Sequence, residues 1–475
     1  MRARLFCRNV RKLVHLSLVA LGTVAISCAI WALVTVVQRA TLPYQIDYEE
    51  GNILNAAVRI THGLSPYPNP HALPSIINPY GPVLYLVEAL LVKLFGVVFM
   101  PGRILVIVSG IVIAILIATI LRRETRSSAI GVGFGALFLC SPFVQFWWPL
   151  LRVDLVGLAL TLAGLTVFHR DPRRVWMTAI LFVLAVYTKH TLIAAPTACF
   201  VWSLLNQQKR TAVRFAAACF ALGAGALAIG EIFTHGVLAF ALFRTHPDPY
   251  LWSAYPNALA QVAEAHSLLV ILVMILLLED HRARKVSLPA LYLIFATLAV
   301  LTIGKAGSNS NHLLELVAAL CLAAGTGFKY LLELAGAWRF IPFAIALLIA
   351  IPLVDHSRSL EFEPQSSACE QVINLIREQR GTYILSENTG AVVLAGKTPL
   401  ISNPFVYTQL VKYGGWSDDQ LVMMLDRRQI PLVLIDGSRR QLWSKTVLSA
   451  LHDNYRVLGL YDCRYAGLAF VPRNP

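Results

Sequence analysis

Long apolar runs recur along this chain, and they constrain its fold more than any other feature. A helical run of about 20 apolar residues crosses a hydrocarbon core of about 30 Å. Of the 475 residues, 57% are hydrophobic and only 14% are charged, whereas soluble domains carry about 25% charged residues. The sequence therefore excludes a soluble enzyme, a disordered chain and a secreted disulfide scaffold, and it predicts a polytopic membrane protein.

The distribution of basic residues predicts how the chain is threaded. Basic residues precede an apolar stretch over 13–37, which is too long for a signal-peptide core and predicts an uncleaved first span with the amino terminus inside. Further spans are predicted at 102–121, 129–148, 153–169, 174–188, 191–206, 211–232, 263–279, 287–303, 311–330 and 338–354. Together with the first, these make about eleven transmembrane helices.

One further apolar run, residues 81–98, carries Glu88 and Lys93, and each charge is costly at a bilayer centre. If this run crossed, the basic segments between the later spans would face outside, against the positive-inside rule. These segments are 122–126, 169–174, 207–210 and 281–285. We therefore predict an in-plane helix, with both charged side chains reaching water or headgroups and the carboxyl-terminal part outside.

The chain becomes polar at about residue 355, which divides it into a membrane domain (1–354) and an outer domain (355–475). Strand-like and helical patterns alternate in the outer part and predict a small α/β domain. The predicted strands are 382–386, 392–396, 432–436 and 467–471, and a helix is predicted from a cap at Ser417 to about 429. Cys369 and Cys463 could pair if the compartment is oxidising, but two cysteines alone do not establish a bridge.

Three carboxylates follow the first span in the segment QIDYEEGN (45–52), namely Asp47, Glu49 and Glu50. In an extended segment, Asp47 and Glu49 point to one face, so they could converge on a metal ion or on a hydroxyl to be deprotonated. A surface acidic turn at a membrane exit is the other interpretation. The Pro-rich loop that follows contains Tyr80 in NPYGP and predicts a defined path along the membrane surface.

Polar residues also mark later outer turns, where the positive-inside rule should deplete cations. Cations at this rim suit a phosphate at headgroup depth, which they bind by charge-assisted hydrogen bonds. The candidates are Arg152 and Asp154, Lys189 and His190, Lys305, Asn311, His312 and Glu315, and His246 and Asp248. Anchoring or snorkelling residues are the alternative for each, and the turns 386–390 and 434–437 could bind a sugar.

The order of these features resembles the GT-C glycosyltransferases over roughly residues 10–355. The shared features are an acidic pair after the first span, a Pro-Tyr-Gly-Pro-like motif with an in-plane helix, Arg-x-Asp, Thr-Lys, and a Gly-Ser-x-x-Asn entry with Glu beyond. The chain is similar to the bacterial branch with protein mannosyltransferases, aminoarabinose transferases and Rgt-type galacturonosyltransferases. Two departures are His312, where many members have Tyr, and Asn78, which replaces a charged residue of aminoarabinose transferases.

The resemblance implies transfer of a hexosyl or pentosyl group from a polyprenyl-phosphate donor to a glycan, lipid or protein acceptor. It implies Asp47 as the first-loop acid with Glu49 or Glu50 as companion, Asp154 as the second acid, and Lys189 near the donor phosphate. The location implied is the bacterial cytoplasmic membrane, with the product in the cell envelope.

Other functions remain open at this stage. A transporter would place ionisable residues near the midplane, and a noncatalytic assembly protein would use the outer part as a binding module. A nucleic-acid role has no supporting motif despite the net charge of +14. The sequence leaves the sugar, the acceptor and the need for a divalent metal undecided.

Overall fold

The structure is a computed structural model that describes residues 22–23, 26–245, 247–305, 307–334, 367–436 and 442–473. Within these residues the first part is helical, and a five-stranded sheet lies in the carboxyl-terminal region, residues 367–473. The amino-terminal helices are α1 Ile26–Ala40, α2 Tyr48–Thr61, α3 Pro82–Phe95, α4 Met100–Thr125, α5 Ser128–Cys140, α6 Pro142–Trp147, α7 Val153–Arg170, α8 Val175–Val186, α9 Ala194–Leu205, α10 Lys209–Thr234, α11 Val237–Phe243, α12 Ala254–Ala265, α13 Ser267–Arg282, α14 Leu288–Ala299 and α15 Leu314–Leu334.

Among the described residues, 4 helices are long and apolar enough to cross a membrane, or up to 5 if the bent pair α12 and α13 is one span. The chain is thus a multi-pass membrane protein, but the count of about eleven spans is not confirmed. Other apolar runs form shorter helices: 129–148 is divided at Ser141 and Pro142 into α5 and α6. At 13 residues α5 measures about 20 Å, less than the hydrocarbon core. The predicted spans at 13–37 and 338–354 fall partly and wholly outside the described residues.

The run at 81–98 forms the 14-residue helix α3, which is not among the helices long enough to cross. Lys93 is exposed, as expected. The prediction for Glu88 was wrong, because its side chain is fully buried instead of reaching water. A Cβ on Gly102 would lie 2.4 Å from Glu88 Oε2, so the carboxyl fills the space that this glycine leaves at the start of α4.

Two of the basic segments, 122–126 and 169–174, meet at one end of the helices. His169 Nε2 lies 2.5 Å from Glu124 Oε1, and Arg123 donates to the carbonyl of Arg170, so the last turns of α4 and α7 meet. Cations at the end of a helix also complement its dipole. The residue that precedes α7, Arg152, lies at the opposite end of the same helix.

The carboxyl-terminal region is an α/β unit, as predicted for its composition. Its elements are α16 Ala368–Glu378, β1 Tyr383–Ser386, α17 Thr389–Leu394, β2 Thr398–Pro399, α18 Pro404–Tyr413, α19 Asp419–Asp426, β3 Val433–Ile435, α20 Lys445–Asn454, β4 Tyr455–Leu460 and β5 Leu468–Pro472. The strand order is β2-β1-β3-β5-β4, with β1 parallel to β2 and β3, and β5 antiparallel to β3 and β4.

Three of the four predicted strands are confirmed, but the strand at 392–396 was wrong. Most of that segment lies in α17, whose start is capped by Asn388: its Oδ1 accepts the N–H of Ala391 at 2.8 Å. The predicted helix after Ser417 is α19, where the Ser417 hydroxyl accepts the N–H of Asp419. Cys369 and Cys463 form a disulfide.

The carboxyl-terminal region packs directly on the loop between α1 and α4. Ser75 pairs with Ile401 as an isolated parallel bridge, and Gly390 N donates to Gln45 Oε1 at 2.7 Å. A Cβ on Gly51 of α2 would lie 2.3 Å from Gly390 N, so α2 and α17 meet where neither residue has a side chain. These contacts place one end of the carboxyl-terminal region over the start of α2.

Candidate functional site

A cavity of about 830 Å³ lies where the carboxyl-terminal region covers the helix ends. Its lining comes from the start of α2, the Pro-rich loop, and the turns before α7, after α8 and after α14. The carboxyl-terminal region supplies a further wall. The residues that line it are Asp47, Tyr48, Glu49, Pro79, Tyr80, Phe146, Trp147, Arg152, Lys189, His190, Thr191, Leu242, Phe243, Tyr250, Leu301, Thr302, Lys305, Gly307, Ser308, Asn309, Asn311, His312, Phe405, Val406, Leu442, Arg464 and Tyr465.

Asp47 and Arg152 meet at this cavity from two distant parts of the chain. Arg152 Nη1 donates to Asp47 Oδ1 at 2.5 Å, and Nη2 donates to the Tyr80 hydroxyl at 3.2 Å. The guanidinium carbon also lies 4.9 Å from the Trp147 ring centroid. Asp47 caps α2 through the N–H of Glu49, which fixes the carboxylate where the chain turns into the helix. Burial raises the pKa of Tyr80, so its hydroxyl stays protonated and can donate a further hydrogen bond.

Asp154 belongs to the same hydrogen-bond network, beside the cavity. Arg152 Nε donates to one of its carboxylate oxygens at 3.1 Å, while Lys189 Nζ donates to the other at 2.5 Å. Asn311 Nδ2 donates to that second oxygen at 2.8 Å. Four residues that the sequence analysis selected separately thus form one connected cluster, which holds two cations at the cavity floor.

Glu49 lies at the edge of the cavity against the carboxyl-terminal region. Its oxygens accept from Asn403 Nδ2 at 3.0 Å and Asn52 Nδ2 at 3.2 Å. Burial raises its pKa above the ordinary value, and the charge of Arg152 opposes this shift. Tyr48 completes the contact, because its hydroxyl donates to Asn403 Oδ1 at 2.6 Å.

Glu50 does not line the cavity; it lies in a sealed ion pair with Arg103, and neither side chain is exposed. The same carboxylate accepts the N–H groups of Ile46 at 2.6 Å, Asp47 at 3.1 Å and Leu151 at 2.8 Å. Glu50 therefore ties α4 and the turn before α7 to the segment that carries Asp47.

The remaining candidates divide between this cavity and its surroundings. His312 Nδ1 lies 2.7 Å from the Thr302 hydroxyl, and His190 and Lys305 also line the cavity. Glu315 lines a smaller adjoining cavity of about 20 Å³ together with Asp154 and Lys189. Asp248 lines neither cavity, and His246 falls outside the described residues.

Sequence reasoning missed the residues that the carboxyl-terminal region brings to the cavity. Arg464 Nη1 donates to the carbonyl of Ile46 at 3.0 Å, directly before Asp47. Tyr465 packs edge-on against Tyr48 with ring centroids 6.0 Å apart. No motif marks these residues, although the proximity of Cys463 could have drawn attention to them.

Within the described ranges, no group of three or more His, Cys, Asp or Glu residues could hold a metal ion. The two carboxylates nearest the cavity floor, Asp47 and Asp154, are both hydrogen-bonded to cationic side chains. Asp47 and Glu49 are the carboxylates that line the larger cavity, and Asp47 is paired with Arg152.

No family model matches the sequence, and no curated protein matches it. Solved structures do resemble it. ArnT from Cupriavidus metallidurans bound to undecaprenyl phosphate aligns with a TM-score of 0.63 at 11% identity, covering 94% of this chain and 97% of that one. Its apo structure aligns with a TM-score of 0.66 at 12% identity and the same coverage.

An archaeal protein shows the same likeness. The Archaeoglobus fulgidus oligosaccharyltransferase AglB, in complex with an inhibitory peptide and a dolichol-phosphate, aligns with a TM-score of 0.55 at 11% identity, covering 95% of this chain and 74% of that one. ArnT, an aminoarabinose transferase, and AglB both belong to the GT-C superfamily. The fold expected from the order of the sequence motifs is thereby confirmed, because this chain shares the fold of these two GT-C proteins.

Proposed function

We propose that the chain is a membrane glycosyltransferase that moves a sugar from a polyprenyl-phosphate donor to an acceptor hydroxyl. The observation that carries this proposal is the cavity in which Asp47 and the cations Arg152, Lys189 and Lys305 share one space. An acid that can accept a proton and cations that can hold a phosphate are the two requirements of such a transfer.

In the proposed reaction Asp47 takes the proton of the acceptor hydroxyl. The acceptor oxygen then attacks the anomeric carbon, and the bond from that carbon to the phosphate oxygen breaks. Polyprenyl phosphate leaves with the bonding electrons, and a single displacement inverts the anomeric configuration. A positioned base of this kind contributes roughly 10²- to 10⁴-fold to the rate.

The cations act on the leaving group. Lys189 lies at the cavity floor on Asp154, and Lys305 and His190 lie along the same wall. Negative charge develops on the phosphate as the bond breaks, and fixed cations stabilise it without reorganisation. ArnT bound to undecaprenyl phosphate and AglB with dolichol-phosphate support a polyprenyl carrier for this chain.

Geometry favours Glu49 over Glu50 as the companion of Asp47, because Glu49 lines the cavity and Glu50 is sealed against Arg103. The basic segments 122–126 and 169–174 meet at the end of α7 that is opposite Arg152, which supports transfer on the outer face of a bacterial cytoplasmic membrane. The amino terminus is then inside, and residues 355–475 form the outer domain. A glycan, a lipid or a protein could supply the acceptor hydroxyl of the cell envelope.

The test is native mass spectrometry of the full chain in nanodiscs with added undecaprenyl phosphate. We expect a one-to-one adduct that Lys189→Ala weakens, because the phosphate loses a cationic donor. Lys329→Ala is the matched control, since Lys329 lies on α15 outside the cavity lining and bonds only weakly to Glu333 at 3.8 Å. Absence of the adduct in the unmodified protein, or equal loss in both variants, would contradict the donor assignment.

A further inference from the structure

The carboxyl-terminal region contributes a wall to the cavity that neither sequence motifs nor the proposed donor site account for. Phe405, Val406, Leu442, Arg464 and Tyr465 form this wall, which we call the C-terminal wall. It belongs to a different part of the chain from the helix ends that carry Lys189. A donor held at the cations of the helix ends leaves this wall to the second substrate.

The part of the wall beside Asp47 is held by several contacts. The disulfide between Cys369 and Cys463 fixes the residue directly before Arg464. Asn388 Nδ2 donates to the carbonyl of Arg464 at 2.8 Å. Tyr465 adopts a φ of 65°, a left-handed conformation that is unfavourable for a residue with a side chain. The surroundings therefore hold this short loop in one conformation and aim it at the start of α2.

The partners of Arg464 distinguish it from Arg152 and Lys189. Arg152 and Lys189 each have an acidic partner, Asp47 and Asp154 respectively. Arg464 has no acidic partner among the described residues; its contacts are the carbonyl of Ile46 and the face of the Tyr465 ring at 5.3 Å. A guanidinium has five donors and is always charged, and the Ile46 contact uses only one of them.

Resting on the proposed transferase function, we propose that Arg464 and Tyr465 bind the acceptor, and that this acceptor is a saccharide with an anionic group near the hydroxyl that receives the sugar. The exposed guanidinium pairs with the anionic group, and the half-buried ring of Tyr48, held edge-on by the buried Tyr465, packs on the apolar face of the saccharide. Because Arg464 bonds to the residue that precedes Asp47, an anion bound there has its neighbouring hydroxyl beside the base.

The experiment compares two saccharides that differ only at C6, where one has a carboxylate and the other a neutral hydroxymethyl group. Full-length protein in nanodiscs, saturated with undecaprenyl phosphate, is titrated by calorimetry with methyl β-glucuronide and with methyl β-glucoside. We expect the glucuronide to bind about 10- to 100-fold more tightly, the effect of one to two charge-assisted hydrogen bonds. Arg464→Ala should reduce its affinity to that of the glucoside, and Arg464→Lys should retain part of the preference.

Arg456→Ala is the matched control, because Arg456 is an exposed arginine on β4 outside the cavity lining. Equal affinity for the two saccharides, or an undiminished preference in Arg464→Ala, would overturn the proposal. If Arg464→Ala fails to fold, the intermediate affinity expected for Arg464→Lys decides instead. Native mass spectrometry of the undecaprenyl phosphate adduct tests the donor site separately. Failure of the proposed function and failure of this inference therefore give different results.

Discussion

The carboxylates Asp47 and Glu50 lie three residues apart at the start of α2, and each pairs with an arginine. The two pairs differ in their exposure. In the pair of Glu50 with Arg103 both side chains are 0% exposed. In the pair of Asp47 with Arg152 the carboxylate side chain is 18% exposed and lines the cavity. The chemistry of the pairs is the same, so access to the cavity determines which carboxylate can meet a substrate.

The difference also concerns what each pair holds together. Glu50 accepts hydrogen bonds from three backbone N–H groups in addition to Arg103, while Arg103 donates to the carbonyls of Leu42 and Tyr44. The polar side-chain atoms of this pair are therefore hydrogen-bonded to other groups of the protein. The pair of Asp47 with Arg152 makes fewer hydrogen bonds within the protein and is less buried. Its side chains can therefore exchange one partner for another.

The largest expected effect comes from Asp47→Asn, which tests the exposed pair. We expect transfer to fall roughly 10²- to 10⁴-fold, because an amide cannot accept the acceptor proton. The isosteric change retains the size of the side chain, so thermal stability and undecaprenyl phosphate binding should change little. The measurement is the initial rate of transfer from a radiolabelled polyprenyl-phosphate sugar.

Asp171→Asn is the matched control for this change, since Asp171 is a half-buried aspartate at the other end of α7, outside the cavity lining, that accepts the N–H of Arg173 at 3.0 Å and lies 3.7 Å from Arg174. Full transfer activity in Asp47→Asn would remove the distinction between the two pairs and assign the base elsewhere.

The sealed pair is tested by Glu50→Gln. Removing one charge leaves Arg103 buried and uncompensated, which costs about 3–5 kcal/mol in typical buried pairs. We expect a clear fall in unfolding temperature in detergent, larger than that of Asp47→Asn. Activity per folded molecule should fall much less than in Asp47→Asn, because Glu50 does not line the cavity. A stable but inactive Glu50→Gln protein would show that this carboxylate acts in the reaction.

The smallest effect, and the sharpest test of the sealed region, concerns Glu88. Burial raises the pKa of Glu88 from 4.5 to about 8, and the charge of Glu50 adds to the shift. Between these two values the folded state holds a proton that the unfolded state has lost, so stability falls as pH rises from about 4.5 to about 8. Glu88→Gln should abolish this part of the pH dependence and leave transfer activity unchanged.

Thermal unfolding at a series of pH values, compared between Glu88→Gln and the unmodified protein, checks this expectation. Identical slopes in the two proteins would mean that Glu88 is ionised or solvated in the folded state.

The sequence predicted the candidate residues whose position depends on the order of the helices and on the side of the membrane at which each helix ends. Asp47, Arg152, Lys189 and Asn311 each stand at a helix end, and ends on the same side of a bundle must meet. Charge placement predicted that residues 81–98 do not form a span, and the 14-residue helix α3 agrees with this. The buried position of Glu88 was not predicted, because hydropathy does not report the close approach at Gly102.

The contributions of the carboxyl-terminal region could not be predicted in the same way. Asn403 reaches Tyr48 across 355 residues of sequence, and this contact depends on how two separately patterned regions dock. The count of about eleven spans is not confirmed for a different reason: hydropathy records apolar length, and it does not show that a break at Ser141 and Pro142 divides one apolar run into two helices. Composition thus determines the class of fold, while docking and helix breaks require the structure.

The hydrogen bond between Tyr48 and Asn403 has a consequence for biosynthesis. A ribosome that adds about 5–20 residues per second needs on the order of 20–70 seconds to make the 355 residues between them. During that interval the acidic segment has left the ribosome while its covering wall does not yet exist. The cavity is therefore a late product of folding, and the nascent chain passes through a period in which Asp47 and Glu49 face water with no enclosed space around them.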